Sequence, residues 1–445
     1  YSAEVNTEPQ AQRRVEVESS SSAGYNRTLR ISLPRYGLLN KCYIHSQYGG
    51  QSFTASAYAA GPPVVPPNAI QFVPFIGCMA FKEIRLMYNG SVLAKVNPLT
   101  ALADLWKHST VREKVILQEM LGGYNHSVDT AHTATSADPH AVTNYQRQII
   151  GSDAQGKGVS NYYFPLDMFF SAKNSPNRAL DLSVLANEVL IEVDVESQTN
   201  VWKATGTVAK LPELQGVKAI CYLTELDLET EKQYRSLQYQ AGGSPLTQLA
   251  FDTSHVIVAT NQTHTGSADS KIDVKLNQFV GQVFKLYVFA TLTDNYATNG
   301  HRFQPVSLKE IQIRATGSNI VNQDNLCNKE DLLESYHNGG DYIAKGDTVA
   351  GRWYNHCNVN PQHIYEINFK HPYDFSKVSE TGSVAFGQLS VPTLRVVVDG
   401  LTGTFGTLSN KVTANVDLHV VAYQTSLISY STNTSGSTAI RQIMN

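Results

Sequence analysis

The segment Phe81-Lys82-Glu83-Ile84-Arg85-Leu86 recurs as Leu308-Lys309-Glu310-Ile311-Gln312-Ile313, 227 positions further along the chain. The same spacing relates Gly90-Ser91 to Gly317-Ser318 and Asp104-Leu105 to Asp331-Leu332. A register held from residue 81 to residue 105 predicts a strand, a glycine turn, a second strand and a short helix that are built twice. The duplicated motif comprises Lys82, Glu83, Ile84, Gly90, Asp104, Lys309, Glu310, Ile311, Gly317 and Asp331.

The two copies of this motif lie in halves of similar length. A chain of 445 residues exceeds the ~100 to 200 residues of an ordinary domain, so two domains are expected. We predict a polar N-terminal arm at residues 1–24, a first domain at 25–228 and a second domain at 229–445. Phe170-Ser171 matches Phe375-Ser376 at a spacing of only 205, so the first half contains an insertion. The stretch from Gly122 to Ser160 is the candidate.

Most of the periodic segments are typical of strands. Polar and apolar residues alternate in Leu190 to Glu196, in Lys271 to Leu276 and in Val416 to Val420, which is the pattern of strands with one buried face. Asn89-Gly90 and Asp399-Gly400 lie beside apolar runs and supply the positive φ that tight hairpin turns need. Antiparallel β-structure is therefore expected throughout.

Helices are few in this reading, and the connections are long. One helix is predicted at Val111 to Leu121, after a capping box that begins at Thr110, and another after Asn97-Pro98. Long polar or Pro/Gly-rich stretches occur at Gly61 to Pro67, Gly122 to Ser160 and Gln240 to Ser270. The predicted fold is all-β, two tandem eight-stranded jelly rolls (a double jelly roll) with a few short helices and long loops.

Composition excludes several classes of function. Lys plus Arg number 35 and Asp plus Glu number 38, a net charge of −3, so direct nucleic-acid binding through a basic surface is not expected. The five cysteines form no C-x-x-C pair, which predicts reduced thiols and folding inside a cell. Charged residues make up only 16% of the chain, which favours a subunit whose surface is covered by partners.

Neither a membrane span nor a signal peptide is predicted. The longest apolar stretch, Ile70 to Phe81, contains Gln71 and Pro74 and is shorter than the ~20 residues that a spanning helix needs. Tyr1 to Gly24 has no apolar core and includes a run of serines. We expect it to be a mobile polar arm.

Motifs that resemble catalytic or ligand sites fail in their details. Gly151 to Gly158 approaches a phosphate-binding loop, but Gly158 replaces the hydroxyl residue that holds Mg²⁺ and Pro165 follows where a helix should run. The histidines at 126, 132, 140, 356 and 363 have no metal-ligand spacing. We therefore predict no catalytic residue, no cofactor-binding residue, no metal ligand and no enzymatic activity.

An ordered series of segments extends along nearly the whole chain. The series comprises Phe81 to Trp106, Tyr162 to Leu166, Asn174 to Val193, Tyr222 to Lys232, Ile272 to Val288, Ile364 to Val398 and Leu418 to Tyr430. In this order it resembles the major capsid proteins of nucleocytoplasmic large DNA viruses, virophages and polinton-like viruses. Gly382 to Phe386 departs from the family pattern, and Gly122 to Ser160 has no counterpart in it.

The resemblance implies a structural role in an icosahedral virion with double-stranded DNA. A capsid protein of this type forms a double jelly roll that trimerises into a pseudo-hexagonal capsomer. Its partners would be two further copies, neighbouring capsomers, and penton and minor capsid proteins, and an internal membrane beneath the shell is left open. The protein would be made and assembled inside the host cell, and the arm at residues 1–24 would become ordered only in the shell.

A carbohydrate-binding or carbohydrate-active double β-sandwich is the alternative, because jelly rolls also carry those functions. Such a protein would offer exposed tryptophan or paired carboxylates in a cleft. The tryptophans of the chain are Trp106, Trp202 and Trp353. The oligomeric state discriminates between the two functions, since a capsomer is an obligate trimer.

We expect the stretch from Gly122 to Ser160 to be an exposed loop, because it is the extra length of the first half and is rich in small polar residues. Replacing it with a short Gly-Ser linker should leave soluble expression and the far-ultraviolet circular dichroism spectrum unchanged. Loss of soluble protein would show that this stretch contributes to a core.

Overall fold

The computed structural model describes residues 10–50, 52–53, 69–73, 75–107, 113, 116–117, 120–122, 160–171, 179–205, 208–227, 229–233, 246–264, 270–292, 305–306, 308–315, 318–324, 365–369, 382–398, 414–432 and 438–443. Several predicted features lie outside these residues. They are Gly61 to Pro67, the phosphate-loop-like Gly151 to Gly158, Gly317, Asp331, Phe375-Ser376, Asp399-Gly400, Trp353, Cys327, Cys357 and the histidines at 126, 132, 140, 356 and 363.

Strands dominate the described part of the chain. In the first half they are β1 (Gln10–Glu18), β2 (Thr28–Ser32), β3 (Leu38–Gly49), β4 (Ser52–Phe53), β5 (Ala69–Phe72), β6 (Phe81–Tyr88), β7 (Ser91–Val96), β8 (Ser160–Leu166), β9 (Leu180–Asp181), β10 (Val189–Val195), β11 (Trp202–Thr205), β12 (Val208–Lys210) and β13 (Glu213–Leu226). In the second half they are β14 (Leu246–His264), β15 (Ser270–Lys275), β16 (Val283–Leu292), β17 (Pro305–Val306), β18 (Leu308–Ala315), β19 (Ser318–Asp324), β20 (Tyr365–Asn368), β21 (Thr393–Val398), β22 (Ala414–Thr432) and β23 (Thr438–Ile443). Short helices in the described part of the chain include α1 (Ile76–Met79), α2 (Pro98–Lys107) and α3 (Gln198–Val201).

The strands form two similar pairs of sheets, one pair in each half. In the first half, sheet A1 has the order β1-β13-β3-β8 and sheet B1 the order β2-β10-β6-β7. In the second half, sheet A2 contains β14-β22-β16 with β20 beside β16, and sheet B2 has the order β15-β21-β18-β19. Each half thus has eight main strands, four in its A sheet and four in its B sheet. Numbered 1 to 8 along the chain, they have the order 1-8-3-6 in the A sheet and 2-7-4-5 in the B sheet of both halves. This Greek-key order is the eight-stranded jelly roll, so the predicted fold is confirmed.

The duplicated motif forms the same hairpin in both rolls. Strands β6 and β7 stand at the end of sheet B1 as β18 and β19 stand at the end of B2. Ile84 lies opposite Val193 on β10, and its counterpart Ile311 lies opposite Val396 on β21. In both hairpins the pairing register shifts at the equivalent position, between Leu86 and Met87 in the first and between Ile313 and Arg314 in the second. The two copies therefore agree in register as well as in position.

The first hairpin turns at Asn89-Gly90, as its sequence predicts. Asn89 has φ 49° and Gly90 has φ 78°, which is the left-handed pair that a two-residue turn between twisted strands requires. The equivalent Gly317 of the second hairpin lies outside the described residues.

Each roll encloses its own hydrophobic core, formed by alternate residues of its strands. On the paired strands β2 and β10, Leu29, Ile31, Ile191 and Val193 are fully buried. On β21 of the second roll, Leu394 and Val396 are likewise 0% exposed. Burial of such side chains contributes roughly 1.5 to 3 kcal/mol each, so the period-two pattern in the sequence is the main source of stability.

An aromatic group closes one end of the first core. Trp202 is fully buried and packs edge-on against Tyr48 and Phe72, with ring centroids 5.7 and 5.8 Å away. Its Nε1 donates a 2.6 Å hydrogen bond to Tyr25 Oη, which itself donates to the carbonyl oxygen of Pro212. Burial raises the pKa of Tyr25 well above its ordinary value. This tryptophan is a core residue and offers no surface to a ligand.

The predicted helix after Asn97-Pro98 is α2, and it is capped as expected. The side-chain Oδ1 of Asn97 accepts hydrogen bonds from the backbone N–H groups of Leu99 and Thr100, at 3.1 and 3.2 Å. The helix predicted at Val111 to Leu121 is described only in part, and its described residues 113, 116–117 and 120–121 are helical. Among the described residues, no helix has the length and apolar character to cross a bilayer.

Two sequence predictions are wrong in the structure. Residues 10–18 of the predicted arm form β1, which pairs along its whole length with β13, and Val15 and Val17 pack against the first core. The stretch from Gln240 to Ser270, predicted as a loop, contains β14, which pairs with β22. Both segments contain many polar residues, so their sequences do not show a clear strand pattern. They are strands because a neighbouring strand supplies hydrogen-bond partners for the backbone, whatever the side chains are.

The described cysteines are free thiols inside the first core. Cys42 on β3 lies directly opposite Cys221 on β13, and Cys78 lies in α1; all three are buried. A hydrogen bond to the Cys221 thiol, together with burial, raises the pKa of Cys42 well above its ordinary value. Burial likewise raises the pKa of Cys78, so the thiols of Cys42 and Cys78 are protonated and poor nucleophiles at neutral pH.

Gly122 and Gly90 provide a matched test of the packing around β8. Both have left-handed φ, +71° and +78°, but a Cβ on Gly122 would lie 2.5 Å from a ring carbon of Tyr162, whereas Gly90 has open space. Backbone strain should lower the free energy of unfolding of both G122A and G90A by ~1 kcal/mol. G122A should lose a further ~1 to 3 kcal/mol to overlap.

Urea unfolding followed by tryptophan fluorescence measures both changes. Equal losses in the two variants would contradict the close approach of Tyr162 to Gly122.

Candidate assembly surfaces

The outer face of sheet A2, turned away from the core of its own roll, has an aromatic cluster. Tyr287 on β16 and Tyr423 on β22 meet edge to face, with ring centroids 5.3 Å apart. Lys285 Nζ lies 4.8 and 4.4 Å from the centroids of these two rings and donates a 3.0 Å hydrogen bond to Tyr287 Oη. We call Lys285, Tyr287 and Tyr423 the tyrosine face of the second roll.

This face is an interface within the chain. Tyr287 is 2% exposed, and its neighbours Phe289 and Val421 are 0% exposed. All three belong to the buried cluster that contains the core of the first roll, whereas the alternate residues Leu286, Val288 and Val420 belong to the core of the second roll. Strands β14 and β23 lie against β7 at the end of sheet B1. The outer face of A2 therefore packs on the first roll.

Sheet A1 has the same residues in the same register. Lys41 lies opposite Tyr222 and Tyr43 opposite Ile220, as Lys285 lies opposite Tyr423 and Tyr287 opposite Val421. Tyr43 and Tyr222 again meet edge to face, with centroids 5.8 Å apart. Lys41, Tyr43 and Tyr222 thus form the tyrosine face of the first roll.

The first-roll face is only partly buried. Tyr43 and Tyr222 are half-buried and Lys41 is exposed. Burial and the neighbouring Tyr222 raise the pKa of Tyr43. Beside it, His45 stacks on Tyr163 at 4.7 Å. Aromatic and basic groups thus form a partly exposed surface on the first roll where the second roll has a buried one.

Sheet B1 presents a network of charges on its outer face. Arg85 on β6 forms ion pairs with Glu83 at 3.1 Å, Glu192 at 3.4 Å and Asp194 at 2.8 Å. Arg30 on β2 adds a 2.8 Å ion pair to Glu192. The network crosses three adjacent strands, and its most buried member, Glu192, is 11% exposed at its side chain. It holds these strands together across the polar face of the sheet.

Sheet B2 has a corresponding ion pair with reversed polarity. Arg395 Nε and Nη2 donate hydrogen bonds of 2.8 and 3.0 Å to the two carboxylate oxygens of Asp273. Asp273 lies between the core positions Ile272 and Val274, as Arg30 lies between Leu29 and Ile31. The pairs Asp273–Arg395 and Arg30–Glu192 are therefore equivalent cross-strand pairs with acid and base exchanged.

Most of the described residues of the duplicated motif lie in the two hairpins. Ile84 and Ile311 are core residues, Lys82 is exposed, Glu83 pairs with Arg85, and Glu310 is half-buried. Gly90 forms the turn. Asp104 lies in α2 and Lys309 in β18, and nothing is described of their side chains; Gly317 and Asp331 are outside the described residues.

The two tyrosine faces are the surfaces that sequence reasoning missed. Lys41-x-Tyr43 and Lys285-x-Tyr287 repeat at a spacing other than 227, because the loops between strands differ in length. A search for short strand patterns with the spacing left free would have found them. Within the described residues, no group of three His, Cys, Asp or Glu side chains could hold a metal ion.

Comparison with known proteins gives structural matches only. No family model and no curated protein matches the sequence. Among solved structures, a quasi-atomic model of the PBCV-1 virus capsid matches with a TM-score of 0.61 and 15% identity, covering 99% of this chain and 98% of that chain. The faustovirus major capsid protein matches with a TM-score of 0.61 and 11% identity over 96% and 92% of the two chains. The mavirus major capsid protein gives 0.54 and 11% over 97% and 90%.

The chain has the fold of these capsid proteins. Because the matches cover at least nine tenths of both chains, the double jelly roll accounts for the whole molecule and not for one of its halves. The loops that join its strands are the parts in which such proteins differ in length.

The Asp273–Arg395 pair gives a prediction about stability and pH. The hydrogen bond from Arg395 lowers the pKa of Asp273. The ion pair therefore adds to the free energy of unfolding above the unfolded-state pKa of ~3.9. This contribution is lost as the pH falls through the lower folded-state pKa. D273N should lower the free energy of unfolding by less than ~1 kcal/mol at pH 7, because the pair is exposed. At a pH where the carboxyl of Asp273 is protonated, the variant and the wild type should be equally stable.

A double-mutant cycle with R395Q measures this coupling by urea unfolding at pH 7. The double variant should lose no more than either single variant. Additive losses would show that the two side chains do not interact.

Proposed function

We propose that the chain is a major capsid protein, a structural subunit of the shell of an icosahedral virus with double-stranded DNA. The observation that supports this most strongly is the double jelly roll itself, which matches capsid proteins of PBCV-1, faustovirus and mavirus over nearly the full length of both chains. The location of the protein is then the virion, after assembly inside the host cell.

A homotrimeric capsomer follows from the duplication. Two rolls of the same strand order occur in each chain, so closed threefold symmetry would place six comparable units around one axis, an outline that tiles a flat facet. The rolls already pack on each other within the chain through the buried second-roll face. Obligate interfaces of this kind usually bury more than ~2,000 Å².

The role is structural and not catalytic in this proposal. Trp202, one of three tryptophans, is a core residue and cannot serve as a platform for a sugar, which disfavours the carbohydrate-binding alternative. A net charge of −3 gives no reason to expect direct contact with the genome. Neighbouring capsomers, penton proteins and minor capsid proteins are the proposed partners.

The domain limits of this proposal are 25–228 and 229–445, with β1 added to the first roll. The described strands of the first roll end at Leu226 and those of the second begin at Leu246. Residues 229–233 between them are helical.

The purified protein should be a trimer of about 147 kDa, three times the 48.9 kDa of the chain. Light scattering after size exclusion at micromolar concentration measures the mass, and negative-stain electron microscopy should show particles with a hexagonal outline. A stable, folded monomer would overturn the capsomer assignment and favour the carbohydrate-binding alternative.

A further inference from the structure

We propose that Cys42 and Cys221 form a disulfide bond across sheet A1 when the folded protein meets a hydroperoxide outside the cell. The bond is a covalent link between β3 and β13 that forms after the first roll has folded. The geometry that supports this bond is independent of the proposed function. Its timing rests on that function, because a capsid protein folds inside a host cell and leaves it in the virion.

The two cysteines face each other across neighbouring strands. Cys42 on β3 lies directly opposite Cys221 on β13, and the two residues belong to the same core cluster, 1% and 0% exposed. Residues directly opposite in an antiparallel pair have Cα atoms ~4.5 or ~5.5 Å apart. Disulfide-bonded residues usually have Cα atoms ~4.4 to ~6.8 Å apart. The backbone therefore holds both residues within the span of a disulfide bond.

The two thiols are also in contact, beside a bulge that gives the strand some freedom. A hydrogen bond joins the side chains of Cys42 and Cys221, so their sulfur atoms are neighbours. On β13 the next residues, Tyr222 and Leu223, lie opposite Lys41 and Leu39, and the intervening residue of β3 is the extra residue of a bulge. A bulge interrupts the ladder locally and increases the twist. A small adjustment of β3 can therefore bring the sulfur atoms to bonding distance.

The second roll shows that this core position does not need sulfur. The equivalent residues are Leu286 on β16 and Ala422 on β22, which lie opposite each other in the same register and are fully buried. An ordinary aliphatic pair therefore satisfies the packing between these two strands. Cysteine behaves as a small apolar residue in a core, so Cys42 and Cys221 keep the position apolar and add a reaction that Leu286 and Ala422 cannot undergo.

The reaction removes two electrons from the pair of thiols. One thiol attacks hydrogen peroxide; its S–H bond and the O–O bond break, and a sulfenic acid and a water molecule form. The second thiol then attacks the sulfenic sulfur, the S–S bond forms, and a second water molecule leaves with the remaining thiol proton. Two thiols and one peroxide thus give one disulfide and two water molecules. The sulfur atoms are oxidised and the peroxide oxygens are reduced.

The protonated state of Cys42 determines when this reaction takes place. The hydrogen bond with Cys221 and burial raise the pKa of Cys42, so little thiolate is present and oxidation is slow. The cell interior keeps thiols reduced, whereas the outside is oxidising. The pair therefore stays reduced while the chain folds and assembles, and becomes oxidised over the lifetime of the released particle.

The bond stabilises the first roll because it closes a long loop. The loop from residue 42 to residue 221 contains all the strands from β4 to β12. A disulfide bond restricts the unfolded chain, and the effect grows with the length of the loop that it closes. The oxidised protein should therefore resist unfolding better than the reduced protein.

The direct test oxidises the folded wild-type protein with hydrogen peroxide and then alkylates the remaining thiols with iodoacetamide in denaturant. Mass spectrometry of a digest should find the peptide of Cys42 joined to the peptide of Cys221, lighter than the two thiol peptides by two hydrogen atoms. Cys78, a buried thiol of the same core that donates a hydrogen bond to the carbonyl oxygen of Phe75, should be alkylated. Recovery of Cys42 and Cys221 as alkylated residues or as sulfonic acids would overturn the proposal. The trimer mass tests the proposed function separately.

Urea unfolding followed by tryptophan fluorescence measures the consequence. Oxidation should raise the midpoint of the wild-type protein by roughly 1 M. The matched control is C42L/C221A, which gives the first roll the aliphatic pair of the second, and peroxide should leave its midpoint unchanged. Peroxide also oxidises methionine, and the control contains the same methionines. Equal midpoints for oxidised and reduced wild-type protein would contradict the stabilising link, and that comparison holds even if C42L/C221A does not fold.

Discussion

Strand β16 of sheet A2 is buried on both faces, and the arrangement of the molecule depends on this constraint. Its inner residues Leu286 and Val288 belong to the core of the second roll, and the intervening Tyr287 and Phe289 belong to the cluster of the first. A one-residue slip of β16 would exchange these two sets and disrupt both cores. The register of a single strand thus fixes the second roll internally and also fixes its position against the first.

The parts of the fold that could be predicted are those in which side-chain pattern and backbone pairing agree. The hairpin β6–β7, the turn at Asn89-Gly90 and the capped helix α2 each have a local signal that the structure confirms. The duplication was visible because this hairpin retains its apolar positions, including Ile84 and Ile311. Local chemistry and tertiary packing select the same conformation in these segments.

The parts that could not be predicted depend on partners distant in sequence. Strand β1 reads as a charged polar segment and is a strand because β13, some two hundred positions away, supplies its hydrogen bonds. Strand β14 depends in the same way on β22. The tyrosine faces are set by cross-strand registers, Lys41 with Tyr222 and Lys285 with Tyr423, and no periodicity along one strand indicates such a pair.

The reversed polarity of the two equivalent ion pairs affects how a duplicated chain avoids misfolding. Two rolls of the same strand order could exchange strands while the chain folds, a known failure of repeat proteins. If β15 took the place of β2 beside β10, Asp273 would lie opposite Glu192; in the reciprocal exchange, Arg30 would lie opposite Arg395. Like charges directly opposite each other destabilise a strand pair. Each exchanged pairing would thus carry a repulsion that the native pairing lacks. The opposite charge patterns of the two halves therefore favour the native strand pairs, although both halves have the same fold.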